Sequence, residues 1–166
     1  SLKGGSGFNE GGKLVFEKFS MLLRPKKIAD ADRDFSEIKI GDIYIKLFRT
    51  KHIPDSAEGW KDSAYSVGII IDDRILFTSD TRFEPEFFIA LDMEYNFETI
   101  FHDCQFFTGG VHASLDEIAG FPQEFKKKTY LTHYGDNFKE FKSKVKKLGF
   151  AGLAKQYVFY CYSEKK

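Results

Sequence analysis

Four histidines and two aspartates stand out in this chain for where they fall. His52, Asp80 and His133 each lie at or just beyond the end of a predicted strand, and His102 and Asp103 do as well. In α/β sheets, the strand ends that face loops are where ligands and catalytic groups collect. Imidazole and carboxylate together form the donor set for zinc or manganese. Asp80 is the sharpest case. It closes "ILFTSD", an apolar run leaving a core, and a carboxylate placed there costs free energy unless something uses it. A lone histidine is usually a solvated or hydrogen-bonded polar residue, so the weight rests on the shared arrangement. His52, in "KHIPD", also fits an ordinary loop. Cys104 adjoins His102 and Asp103 and offers a thiol, although a small buried apolar cysteine is the commoner use of that residue.

The elements that must position these groups follow from apolar periodicity. Ile38, Ile40, Ile43, Ile45 and Leu47 alternate with polar residues across Gly41-Asp42, which predicts two strands joined by a tight turn. Residues 64–71 and 74–80 predict a hairpin with a two-residue Asp72-Asp73 turn, apolar on both arms and so covered on at least one face. A helix is expected after Asp80, with Pro85 in its first turn and Phe88, Leu91 and Tyr95 along one side. Residues 99–107 predict a short strand running into a loop, residues 129–134 another strand, and residues 155–163 a closing aromatic strand. Ser114 and Glu117 have capping-box spacing. Over 137–149 a stripe of Phe138, Phe141, Val145 and Leu148 predicts a helix started by Asn137 and ended by Gly149. Residues 13–25 predict a strand and a turn, and the charged stretch 26–35 predicts a loop or short helical turn. Strands thus dominate the first half, and strands alternate with helices in the second.

Composition narrows the class. The chain has 166 residues, 42% of them hydrophobic and 30% charged, which fits one folded domain with a sizeable core. Lys plus Arg and Asp plus Glu are both 25, so no overall basic footprint for nucleic acid exists. The lysine-rich stretch 139–147 reads first as a solvated helix face. No apolar run approaches the ~20 residues that span a bilayer. With no secretory signal and only Cys104 and Cys161, a reduced, cytoplasmic setting is the expectation, with no membrane partner. Residues 1–12 are glycine-rich and read as a flexible start or linker, leaving 13–166 as the folded part. The 19 Phe imply a core of rings or a surface that another piece of protein covers.

Taken together, these segments resemble one family. "ILFTSDT" resembles the strand of the metallo-β-lactamase superfamily that delivers a carboxylate bridging two metals. "IFHDC", "GGVHAS" and "TYLTHYGDN" are similar to the following segments of its phosphodiesterase branch, which includes ribonuclease Z and cyclic-nucleotide phosphodiesterases, the cyclic-nucleotide type being the nearer. The resemblance covers about residues 36–162. It implies an α/β fold, the αββα sandwich of that superfamily, and a metal-dependent hydrolase. Asp80 would bridge two divalent ions, zinc or alternatively manganese. His133 would be a ligand of one of them, and His112 a general acid or charge stabiliser over the substrate phosphate. His102 and Asp103 would orient the ligands from behind, and His52 is a further candidate beside the substrate or the ligands. In such centres two cations about 3.5–4 Å apart share a carboxylate and a hydroxide that attacks phosphorus in line.

One departure matters. The family's His-x-His-x-Asp-His run is absent from this sequence, and no histidine precedes His52. Asp80 and His133 alone cannot build a tight dinuclear site. The expectation is therefore that 13–166 is the C-terminal half of such a domain, with an N-terminal half elsewhere as its partner. Its substrate would be a phosphodiester such as a cyclic nucleotide or an RNA end, and a homodimer is expected by analogy. The alternatives are a non-catalytic degenerate binding module and a lactone or β-lactam hydrolase.

Overall fold

The computed structural model describes residues 24–28, 31–54 and 56–163. Among these residues, eight strands form one sheet in sequence order: β1 (Arg24–Ile28), β2 (Ala31–Ile40), β3 (Ile43–Arg49), β4 (Val67–Ile71), β5 (Ile75–Phe77), β6 (Thr99–Asp103), β7 (Thr129–Thr132) and β8 (Gly152–Leu153). Neighbours from β1 to β5 pair antiparallel, and those from β5 to β8 pair parallel. Parallel neighbours need crossovers. These are α1 (Pro85–Tyr95) between β5 and β6, α2 (Leu115–Ile118) and α3 (Gln123–Lys127) between β6 and β7, and α4 (Phe138–Lys147) between β7 and β8. The fold is mixed α/β.

Local chemistry accounts for the connections. Gly41 turns the β2–β3 hairpin at a φ of 61°. The β4–β5 turn takes three residues instead of two, with Asp72 and Asp73 at φ 52° and 57° and the Arg74 N–H donating to the Ile71 carbonyl at 3.0 Å. Aspartate tolerates that left-handed region. Pro85 opens α1, where its missing N–H costs nothing. Ser114 and Glu117 form the capping box on α2. Asn137 precedes α4 without a side-chain cap bond, and Gly149, at φ 92°, follows its end.

The sheet has two unlike faces. Phe48, Ile70, Leu76, Ile100 and Leu131 share one face and are buried against Phe88 and Leu91 of α1, Leu115 and Ile118 of α2, Phe125 of α3 and Val145 of α4. Gly68 belongs to this face because a Cβ there would come within 2.2 Å of the Phe48 ring. On the other face one row runs Leu47, Ile69, Phe77, Phe101 and Tyr130 across five strands, all partly accessible. A second row adds Ile38, Ile45, Ile71 and Ile75. Residues 154–163 return over this second face, with Tyr160 edge-on to Phe101 and Tyr130, both at 5.0 Å.

Two further expectations change. Of the stretch 26–35, expected as a loop or short helical turn, residues 26–28 belong to β1 and residues 31–35 to β2. Residues 155–163 are no strand. The last pairing is at β8, and the aromatic tail beyond it makes ring contacts instead of ladder bonds. The expected strand at 13–25 and the linker at 1–12 lie outside the described residues, except for Arg24 and Pro25 in β1. Among the described residues, no helix is long and apolar enough to cross a membrane.

Candidate functional site

Because β5, β6 and β7 run parallel, their C-terminal ends open on one sheet edge, and β3, two strands away, ends there too. Asp80 follows β5, Asp103 is the last residue of β6, His133 follows β7, and His52 follows β3. His112 arrives on the β6–β7 connection. Donor atoms of Asp80, Asp103, His112 and His133 all lie within 4.8 Å of one another. Ser79 and His133 hold left-handed backbone at φ 55° and 57°. Non-glycine residues in that region cluster where function over-determines the backbone.

Asp103 is the buried anchor. Its carboxylate has no exposure, and such a charge is kept only by partners. Oδ2 accepts the Thr81 N–H at 2.8 Å and faces His112 Nδ1 at 2.7 Å, while Oδ1 lies 3.2 Å from His133 Nδ1. The Asp103 N–H donates to Thr78 Oγ1 at 3.0 Å. The carboxylate thereby favours a proton on Nδ1 of His112, and it faces Nδ1 of His133 together with Asp80 Oδ1, each at 3.2 Å; among the described residues neither ring's Nε2 takes a hydrogen bond. The two rings meet edge to face at 4.3 Å.

Asp80 is fixed through its backbone. Its carbonyl accepts Thr50 Oγ1 at 2.9 Å and Ser66 Oγ at 2.6 Å. Its half-exposed carboxylate has Oδ1 3.2 Å from His133 Nδ1 and Oδ2 3.8 Å from His52 Nε2. The latter exceeds hydrogen-bond range but lets both atoms face one cation. His52 Nδ1 lies 3.2 Å from the Val111 carbonyl, which holds a proton on Nδ1 and leaves Nε2 as the lone pair toward Asp80. Burial lowers the His52 pKa against the pull of Asp80, favouring the neutral imidazole, the form that can take a metal ion.

The sequence candidates separate accordingly. Asp80, Asp103, His112 and His133 converge, and His52 joins their rim, its ring 5.0 Å from that of His112. His102 faces the helices, fully buried between Phe88 and Phe121, with Nδ1 on the Asp103 carbonyl at 2.7 Å. Burial pushes the Cys104 thiol up, so it remains a thiol and packs as an apolar group. The hydroxyls of Thr50, Ser66 and Thr78 carry no sequence signal beyond their places near strand ends.

A family model described as Anti-Pycsar protein Apyc1 matches residues 1–160. The chain belongs to this family. A relative named Anti-Pycsar protein Apyc1 from Bacillus phage BSP38 is 40% identical over 120 residues, covering 70% of this chain and 43% of the relative. One from Bacillus phage vB_BsuM-Goe3 is 34% identical over 166 residues, covering 95% of this chain and 60% of the relative. A bacterial relative of the same name, from Paenibacillus harenae, is 37% identical over 102 residues and is covered to 39%. The chain spans about half the length of the curated anti-Pycsar relatives it matches.

Proposed function

We propose that the chain carries the C-terminal portion of a metal-dependent phosphodiesterase centre of metallo-β-lactamase type, acting on a cyclic nucleotide. The observation that carries this reading is the buried Asp103 carboxylate holding the Nδ1 side of both His112 and His133 beside Asp80. The donor set fits a divalent cation. Asp80, His133 and His52 present a carboxylate and two imidazoles, the ligand mixture of zinc and manganese. Such cations, when bound, supply Lewis-acid stabilisation of phosphate charge and activation of a water molecule at neutral pH.

The chain's own residues divide the remaining work. Asp80, anchored by Thr50 and Ser66, keeps its carboxylate at the open sheet edge. His112, its Nδ1 proton held by Asp103, has Nε2 free to hold a proton and deliver it to the oxygen that departs from phosphorus. Asp103 orients that ring toward the open sheet edge. The apolar second face, rowed from Leu47 to Tyr130, is consistent with a second sheet layer supplied by residues outside this chain, as in an αββα sandwich. Those residues would add the remaining ligands. The anti-Pycsar name of the relatives fits a hydrolase that removes a cyclic nucleotide during an anti-defence response.

The test is hydrolysis of cyclic nucleotides, with bis-nitrophenyl phosphate and a lactone as controls. It uses the protein expressed with whatever sequence its gene places upstream of Ser1. Chelator-sensitive cleavage of the phosphodiesters and not of the lactone is expected. Lactone cleavage alone, or no metal-dependent cleavage, would overturn the reading.

A further inference from the structure

We infer that the Arg33–Glu84 ion pair is a positioning unit that fixes the distance between His52 and Asp80, and through it the cation affinity of the site. The inference rests on the proposal that these two residues face one cation. Asp80 is tethered by two hydroxyls, whereas the His52 ring takes one hydrogen bond among the described residues, at the Val111 carbonyl. What fixes His52 from behind is its neighbour Lys51. The Lys51 N–H donates to Glu84 Oε2 at 3.2 Å, and the Lys51 carbonyl accepts the Arg82 N–H at 2.7 Å and Thr81 Oγ1 at 3.3 Å. The segment carrying His52 is thus stitched to the segment that follows Asp80.

Glu84 can hold Lys51 only if its carboxylate is itself held. Arg33 on β2 does this with two donors, Nη2 to Oε1 at 3.0 Å and Nη1 to Oε2 at 3.3 Å, while Nη1 also donates to the Arg49 carbonyl at 2.9 Å. The guanidinium lies 3.6 Å over the Phe87 ring, and both side chains are largely buried, at 5% and 15% exposure. A charge-assisted fork in such a place is rigid and poorly screened by salt. Lysine cannot reproduce the fork or the stacking. The unit therefore grips both segments that bring a donor to the His52–Asp80 gap, without touching either donor.

A fold-wide structural role and a positioning role separate in a double-mutant cycle read by zinc affinity. Zinc is titrated into the protein, expressed with whatever sequence its gene places upstream of Ser1, in competition with a chromophoric chelator, and thermal unfolding in excess chelator checks that each variant is folded. Glu84→Gln and Arg33→Lys are each made alone and together with His52→Ala. About a tenfold loss of zinc affinity is expected from either single variant, in line with the effect of residues that orient ligands. In the His52→Ala background neither should cost more. Arg33→Lys keeps a cation in place and carries the cycle if Glu84→Gln does not fold. An equal loss with and without His52, or no loss from the single variants while His52→Ala weakens zinc, overturns the inference. If His52→Ala itself leaves zinc affinity unchanged, the ligand reading fails and the inference falls with it.

Discussion

His112 Nδ1 lies 2.7 Å from Oδ2 of Asp103, a carboxylate with no solvent exposure at the last position of β6. The pair links the two halves of the site. Asp103 belongs to the rigid sheet, whereas His112 belongs to the connection that leaves it, so the contact fixes a loop side chain against the edge where Asp80 and His133 converge.

Removing that negative charge should impair proton delivery more than binding. Asp103→Asn is expected to lower kcat for a cyclic nucleotide by about 10²–10⁴-fold, the range general acid–base groups contribute, with a smaller change in KM. Steady-state kinetics of the protein with its upstream sequence measures this. An unchanged kcat would remove Asp103 from the mechanism.

The tethers on the Asp80 carbonyl should be separable from the carboxylate chemistry. Thr50→Val with Ser66→Ala deletes both hydroxyl donors but leaves every proposed ligand. Weaker zinc affinity is expected, with unfolding in chelator shifted by about 1–3 kcal/mol for an unpaired carbonyl. Zinc affinity equal to the parent's would show that Asp80 needs no such anchoring.

His102 predicts a pH dependence with a definite sign. Burial lowers its pKa below the ordinary value of 6.5, because the charged ring would be stranded between Phe88 and Phe121. The unfolded chain takes up a proton first as pH falls. The neutral ring's contribution is therefore complete above about pH 6.5 and is lost as pH drops from there toward the lower folded value. Urea unfolding in chelator, compared between the parent and His102→Leu, should show the parent losing stability relative to the variant on acidification from pH 7.5 to 5. A difference that stays constant with pH would contradict this.

The Phe48–Gly68 contact predicts a rescue. Gly68→Ala drives a Cβ to within 2.2 Å of the Phe48 ring and is expected to cost at least about 1–3 kcal/mol of stability through overpacking. Phe48→Leu added to it should recover part of that loss. Additive effects of the two substitutions, read from urea midpoints, would rule the contact out as the cause.

The legible parts of the fold are those whose apolar side chains gather on one side of an element. The β2–β3 hairpin shows in isoleucines that alternate onto the accessible second face, Ile38, Ile40 and Ile43 among them, and α4 in its stripe of Phe138, Phe141, Val145 and Leu148, which turns Val145 into the core. Residues 26–28 and 31–35 escape because these parts of β1 and β2 are rich in charge and have no apolar alternation to reveal them. Residues 155–163 mislead for the opposite reason: alternating aromatics look like a strand, yet they meet Phe101 and Tyr130 as rings lying on a sheet face. At the site, strand-end acids and histidines are visible one by one. The His52–Asp80 approach is not, because it depends on β3 and β5 ending on the same edge with β4 between them. Arg33 and Glu84 lie 51 positions apart and carry no motif at all.

The central claim is that Asp80 stands at a cation site, and the metal content of Asp80→Ala tests it most directly. The protein is expressed with its natural upstream sequence, purified without chelator, and measured by elemental analysis beside the parent. The account predicts zinc or manganese retained by the parent and lost from a folded Asp80→Ala. Equal metal content in the two proteins, or none in either after zinc and manganese are offered, would contradict it.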